Sequence, residues 1–364
     1  MQHKQIRVPT GRGGTIRLPF CERGIGRTAG ATDGRGQMAK IRDIAKRTGA
    51  SIATVSRVVN GSGYVSAEMR ARIEEAVRDL DYRPNAGARM MRSGSSRAVG
   101  VLLPALDVHF FGILAHTVEQ ALFARGYQAM ICSTSESPAH EAAYVGAMLA
   151  QQVDGVILAA VASDGAGVGR LQAAGVPIVA VDRALPGLAA VAVDHHAGGR
   201  MLARHLLDLG HRAIGVVGAP GHSAPVQERL AGISAELADA GLAPVVVRLG
   251  AEHGFEACRA LADAALEACH PTAIIGTTDM AAIGAIHAAV GRGLLVPRDL
   301  SVIGFDDLPA ARYTIPQLTT VAQPIREIGQ AAVDRLLALI EGKAALPPPV
   351  LPLRLMERGT TARV

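Results

Sequence analysis

The sequence predicts an α/β protein with an all-α N-terminal part. Near the N-terminus, short helical faces are broken by a glycine turn; from Ala98 onward, short apolar runs alternate with helical patterns, as in parallel βα units. Charge separates the same two parts. Residues 1–97 hold 19 Lys and Arg against 8 Asp and Glu, net +11, while the other 267 hold 18 against 24, net −6. A basic head on an acidic body marks the head as the part that meets a polyanion. At 364 residues, 49% hydrophobic and 19% charged, the chain has room for two or three packed domains and is not built for wholesale disorder. No run approaches the roughly 20 apolar residues of a spanning helix, so no membrane partner is expected.

Residues 1–37 are rich in Arg and Gly and lack the apolar core of a secretory signal. They read either as a disordered basic arm or as upstream sequence ahead of a start at Met38, where helical periodicity begins, and they are assigned no function. Cys21, Cys132, Cys258 and Cys269 form no C-x-x-C pair and no zinc-ligand spacing, so no metal is expected and the thiols fit a reducing cytosol.

Within residues 38–81, KIRDIAKRTGASIATVSRVVN has the spacing of a helix-turn-helix. Ile41, Ile44 and Ala45 form one helical face, Gly49 breaks it, and Ser51 caps a second helix whose Val55 and Val58 point inward. A third helix, capped by Ser66, carries Met69, Ile73, Ala76, Val77 and Leu80 on one stripe. A three-helix core need not touch DNA. Here, however, the outward positions of the second helix are Ile52, Ala53, Thr54, Ser56 and Arg57. That face is slim enough for a major groove and carries one Arg for guanine.

The stretches IRDIAKRTGAS, ATVSRVVNG, YVS and DYRPNAGARMMRSGSS resemble the LacI/GalR family of transcription regulators. The resemblance implies base contacts from Ile52, Ala53 and Arg57, with Thr54, Ser56, Asn60 and Tyr82 at phosphates and Ser51 beside them. Ile52 and Ala53 offer only apolar contact, so base hydrogen bonding rests on Arg57. Residues 82–97 form a linker opened by Pro84-Asn85 and closed by Gly94-Ser95-Ser96. By resemblance it is the family's hinge helix, which enters the minor groove, with Asn85 and Arg89 facing DNA and Met91 at the inserted position. Met91 stands where Leu is usual, and Gly87 lowers helicity by about 1 kcal/mol relative to Ala, so hinge folding should depend on DNA and on a partner subunit.

For residues 98–364 the strands expected from apolar runs are 99–103, 128–132, 155–158, 178–181, 214–217, 245–247, 273–275 and 301–303. The resemblance continues through GVLLP…HFF, QQVDGVIL, VPIVAVDR, VAVDHHAGGR, ERLAGI, TDMAAIGA and VPRDLSVIGFDD to PQLTTVAQP. It implies a two-lobed, periplasmic-binding-protein-like body that binds a small-molecule effector and dimerises, with lobe crossings near Asp194, Thr320–Gln323 and Val350. At the implied cleft, Asp182 and Asp306 can each accept from a pair of hydroxyls, Arg229 offers a planar donor fork, and Phe110 an apolar face. Asp107, His109 and Thr278 complete this set. Each has a plainer reading: Asp306 as a helix cap, Arg229 as an ion-pair partner, Phe110 as core. His109, Val108 and Thr278 depart from the family's usual Pro, Asn and Asn, and the loop Gly250–Gly254 looks short and lacks the usual aromatic.

The expected partners are therefore double-stranded operator DNA, a sugar-like effector and a second copy of the chain, with no cofactor. The C-terminal tail has no leucine heptads, so the tetramerising helix of some relatives is not expected. An enzyme is not indicated. Asp194-His195-His196 resembles one metal motif of DHH phosphoesterases without that chemistry's other ligands. Gly165–Gly169 matches no phosphate loop, and H-E-x-x-H and G-x-S-x-G are missing. A sugar-binding transport component would share the body's fold but would have no DNA-binding head.

Overall fold

The computed structural model describes residues 39–82, 94–159, 166–218, 220–251, 254–343, 349 and 351–364. The expectations at Met38, Asn85, Arg89, Met91 and Val350 lie outside the described residues. The chain divides into two compact units, Met1–Asn85 and Ala86–Val364.

The first unit holds three helices, α1 (Ile41–Thr48), α2 (Ile52–Val59) and α3 (Ala67–Asp79). The turn forms because Gly49 ends α1 at φ 67°, a left-handed conformation costly for any residue with a Cβ. Two residues later the Ser51 hydroxyl accepts the Thr54 N–H at 3.0 Å and starts α2. Ile44, Val55 and Ile73, one from each helix, are fully buried at the centre, with Ile41, Ala45, Ala50, Met69, Val77 and Leu80 packed around them. Arg72 on α3 donates to the Thr48 carbonyl at 2.8 Å, satisfying an acceptor that the end of α1 leaves free.

The second unit contains two sheets. The first runs in the order β2-β1-β3-β4-β5, built from β1 (Ala98–Leu103), β2 (Gln128–Ser133), β3 (Gly155–Leu158), β4 (Ile178–Val181) and β5 (Ala189–Val191), all parallel. Helices α4 (His109–Phe123), α5 (Pro138–Ala150) and α6 (Ala166–Ala173) connect its strands. The chain then leaves this sheet at 192–194 and enters α7 (His195–Asp208), β6 (Ile214–Gly218), α8 (Ala224–Asp239), β7 (Val246–Leu249), α9 (Phe255–Cys269), β8 (Ala273–Gly276), α10 (Asp279–Gly291), β9 (Ser301–Asp306) and β10 (Thr319–Ala322). These strands form the second sheet, ordered β11-β10-β9-β8-β6-β7, in which only β11 (Arg354–Met356) is antiparallel. β3, β4, β6, β8 and β9 are buried along their whole length, which is why they read as unbroken apolar runs.

Between β10 and β11 the chain returns to the first lobe. There α11 (Ile325–Ile340) packs Ile325, Ile328, Val333 and Leu336 into one core with Leu114, Val118 and Leu122 of α4. The second lobe's α7 and α8 approach closely through two glycines. A Cβ at Gly199 would lie 2.1 Å from the Arg229 carbonyl oxygen, and one at Gly232 would lie 2.0 Å from that of His196. This tight crossing places His195 and Arg229 side by side.

Three short strands were not anticipated. β5 and β11 have three residues each and β10 is the Thr-rich TTVA, so none offers an apolar run long enough to stand out. β7 begins at Val246 rather than Val245, and β9 continues past Ile303 to Asp306 because β10 pairs with it through Ala322.

Candidate functional site

In the first unit, α2 presents Ser51, Ile52, Ala53, Arg57 and the following Asn60 to solvent, with Thr54 and Ser56 half-buried beneath them. Ile52 is 47% exposed at the first turn of the helix. Thr54 shares its hydroxyl with that of Ser51 at 2.8 Å. Asn60 turns its amide back onto α2, donating to the Ser56 carbonyl at 2.6 Å and to its hydroxyl at 3.0 Å. Tyr82 is half-buried against the helical core.

In the second unit, a cavity of about 560 Å³ opens between the lobes. Asp107, His109, Phe110, Asp182, Arg229, Thr278 and Asp306, which sequence alone assigned to one cleft, all line it. Six reach it from strand ends and helix starts, as where Asp182 follows β4, Asp306 ends β9 and Thr278 precedes α10, and Arg229 reaches it from within α8. Asp107 and His109 are exposed, whereas Phe110 is also a core residue, edge-on to Phe111 at 5.1 Å. Thr278 caps α10 by accepting from Ala281 N–H at 3.2 Å.

A polar chain forms the floor. Arg229, only 4% exposed, donates from Nη1 to the Thr277 carbonyl at 2.7 Å and from Nε to His195 Nδ1 at 3.3 Å. A guanidinium can only donate, so Nδ1 is the bare nitrogen and His195 Nε2 donates to the Asp182 carbonyl at 2.8 Å. The guanidinium lies over the Phe305 ring at 3.9 Å and stands 3.8 Å from Asp306 Oδ1. That same oxygen accepts from Gln323 Nε2 at 2.6 Å. The chain therefore runs from the first lobe (Asp182) through the crossing (His195) to the second lobe (Arg229, Asp306) and on to the next crossing (Gln323). Asp182 and Asp306 both hold left-handed backbone, φ 69° and 121°, a strain that the surrounding contacts must sustain.

The two carboxyls are tuned apart. Burial pushes Asp306 up to about 6, against the pull of Arg229 and the Gln323 hydrogen bond. Burial acts the same way on Asp182, but the His195 hydrogen bond and the charges of Arg229 and Arg183 outweigh it and hold the carboxyl below its ordinary value. Behind the floor, burial and the charge of Asp306 raise Asp279 well above the ordinary range; it accepts from Thr320 Oγ1 at 2.5 Å and Leu308 N–H at 2.6 Å.

The residues that sequence reasoning missed act through tertiary contact. His195 and Gln323 were visible only as lobe-crossing residues, and Thr277 gave no signal. Phe255, just after the loop at 250–254, lines the cavity and stands edge-on to His287 at 5.0 Å.

Two family descriptions match. "Bacterial regulatory proteins, lacI family" covers residues 40–85, which include all three helices of the first unit, and "Periplasmic binding protein-like domain" covers 203–361. The ribose operon repressor of Halalkalibacterium halodurans is 34% identical over 84% of this chain and 92% of its own length. The chain belongs to the LacI family of bacterial regulatory proteins. As a LacI-family member it is a DNA-binding transcriptional regulator, and its curated relatives are regulators rather than enzymes. The HTH-type transcriptional repressor PurR of Edwardsiella ictaluri is 32% identical over 84% of this chain and 92% of its own length. Among solved structures, the Lac repressor dimer bound to operator and the anti-inducer ONPF superposes with a TM-score of 0.81 at 31% identity, covering 89% of this chain and 99% of that one. In this LacI-family chain the lacI-family match falls on the first unit, and the periplasmic-binding-protein-like match falls on the two-lobed second unit that carries the cleft.

Proposed function

We propose that this regulator is a cytoplasmic, homodimeric repressor whose operator affinity is set by a sugar-like effector held between Asp182, Arg229 and Asp306, and that it catalyses no reaction. Residues 38–81 are its DNA-binding domain, 82–97 its hinge and 98–364 its effector-binding and dimerisation domain. On α2, Arg57 reads a base through hydrogen bonds and Ile52 and Ala53 through apolar contact. Ser51, Thr54, Ser56, Asn60 and Tyr82 contact phosphate, and Asn85, Arg89 and Met91 act from the hinge in the minor groove.

The observation that carries the effector assignment is the floor of the cleft. The half-buried carboxylate of Asp182 and the buried one of Asp306 lie by a buried guanidinium that has a donor edge directed at Asp306. Carboxylates accept from adjacent hydroxyls and a guanidinium donates to ring or carbonyl oxygens, which is the complement of a polyhydroxylated ring. Phe110 and Phe255 supply apolar faces for it, and about 560 Å³ is the volume of a small-ligand site. Ligand contact with both lobes changes the angle between them, and the altered lobe angle shifts DNA affinity. The names of the relatives, a ribose operon repressor and a sucrose operon repressor among them, agree with this class.

A thermal-shift screen of sugars, sugar phosphates and nucleosides identifies the effector: at a hundred times its Kd, a ligand adds about 2.7 kcal/mol. Linkage then requires operator DNA to change that ligand's affinity by the factor by which the ligand changes operator affinity. Equal ligand affinity with and without operator would refute the allosteric reading.

A further inference from the structure

The last residues of the linker are gripped by one side chain of the first lobe. Asp154 precedes β3, at the opposite end of the first sheet from the cleft. Its carboxylate accepts the Ser96 N–H at 2.7 Å, the Ser96 hydroxyl at 2.9 Å, the Arg97 N–H at 3.0 Å and the Ser95 hydroxyl. Its own N–H donates to the Ala98 carbonyl at 2.8 Å. Two further ties hold the same segment. The Arg97 guanidinium lies over the Tyr127 ring at 4.9 Å, and the Arg97 carbonyl accepts from Gln128 N–H at 2.8 Å. Arg97 adopts φ 54°, a left-handed conformation that a non-glycine residue holds only where its surroundings demand it.

Four donors on one carboxylate far exceed what closing a surface turn requires. They fix the direction in which the chain leaves β1 toward the head. The strands on either side of the grip, β1 and β3, are paired from Val99 with Gly155 to Leu102 with Leu158 and end at the cleft, where Pro104 and Ala159 line the cavity. A displacement of the cleft end therefore moves the linker end, because a packed parallel sheet transmits it without bending.

We propose that Asp154 is a positioning residue that clamps the end of the linker onto the first lobe, so that lobe movement reaches the DNA-binding head instead of dissipating in a loose joint. This rests on the operator-binding function proposed above. With the clamp released, the heads of a dimer sample a wider volume and the effective concentration of the second head at its half-site falls.

The test uses the full chain, the duplex that the wild-type protein selects from a random-sequence pool, and sheared salmon-sperm DNA as the nonspecific probe. For Asp154→Ala, amide exchange at Ser96 and Arg97 should quicken at least tenfold, and affinity for the selected duplex should fall about tenfold. Affinity for salmon-sperm DNA should stay within twofold, because the helical head is untouched. Asp154→Asn, which keeps one carbonyl acceptor, should fall between. If Asp154→Ala fails to fold, the double variant Ser95→Ala, Ser96→Ala removes two donors and leaves Asp154 in place for the same measurements. Unchanged exchange would show that the clamp does not hold in solution, and faster exchange with unchanged duplex affinity that it does not position the heads; either result overturns the proposal. A wild-type chain that selects no duplex would instead overturn the operator-binding function.

Discussion

Replacing Arg229 with Met tests the electrostatics of the cleft floor, because it removes the charge and keeps most of the length. In the wild type, Asp306 has a folded-state pKa of about 6 against an ordinary 3.8. A carboxyl raised in this way contributes stability that is complete below its unfolded value and is lost as pH rises through about 6. Arg229 limits the rise together with the Gln323 hydrogen bond. Without Arg229, the pKa of Asp306 moves above 6 and that of Asp182 rises as well, since the same guanidinium helps to lower it. Each further unit costs the folded state about 1.4 kcal/mol once the pH is above it.

At pH 5, where Asp306 is already protonated in both proteins, the cost of Arg229→Met should be the lost donors to Thr277 and His195 and the lost ring contact, about 1–3 kcal/mol. At pH 8 the unpaired buried carboxylate adds to this, bringing the total to about 3–5 kcal/mol. Urea denaturation of wild type and variant, followed by far-ultraviolet circular dichroism at both pH values, measures the difference; the chain has no Trp to serve as a fluorescence probe. A destabilisation equal at pH 5 and pH 8 would refute the assignment of Arg229 as the counter-charge of Asp306.

Two further substitutions probe the other parts of the molecule. Arg57→Ala should cost about 1–3 kcal/mol of specific DNA affinity and relax selectivity at a single base pair; a uniform loss on all sequences would make it a phosphate contact instead. Gly199→Ala puts a Cβ 2.1 Å from the Arg229 carbonyl oxygen. Forced separation of α7 and α8 should destabilise the fold by 1–3 kcal/mol or more and, by shifting Arg229, abolish the ligand-induced rise in melting temperature. A variant that melts lower and still responds fully to ligand would separate the helix crossing from the cleft.

The legibility of each feature follows the range of the interactions that make it. The turn between α1 and α2 is encoded by Gly49 and Ser51 acting on neighbours within a few residues, and the apolar face reads directly from Ile44, Val55 and Ile73. Strands covered on both faces announce themselves as β3 and β4 do. β5, β10 and β11 did not, because three or four residues at a sheet margin carry no period. The seven cleft residues were recoverable through the family resemblance, and of them Asp182, Thr278 and Asp306 lie at or just past strand ends, as ligand-facing residues of βα units do. The His195 bridge was not, since Asp182 and Arg229 stand 13 and 34 residues from it and only the α7–α8 crossing joins them. Asp154 was hidden for the same reason, 57 to 59 residues from its partners.

The return of the chain to the first lobe has a consequence for biosynthesis. Five strands of that lobe are complete by Val191, yet its core requires Ile325, Ile328, Val333 and Leu336 from α11. Roughly 150 residues must be translated in the interval, which at typical elongation rates is about 7–30 s. Throughout that time the side of α4 that packs on α11 stays uncovered on the ribosome-bound chain, while the side facing the first sheet is already covered. A nascent chain halted before residue 325 therefore exposes the α11-facing side of α4, Leu114 included, to whatever holdase or aggregating neighbour reaches it first.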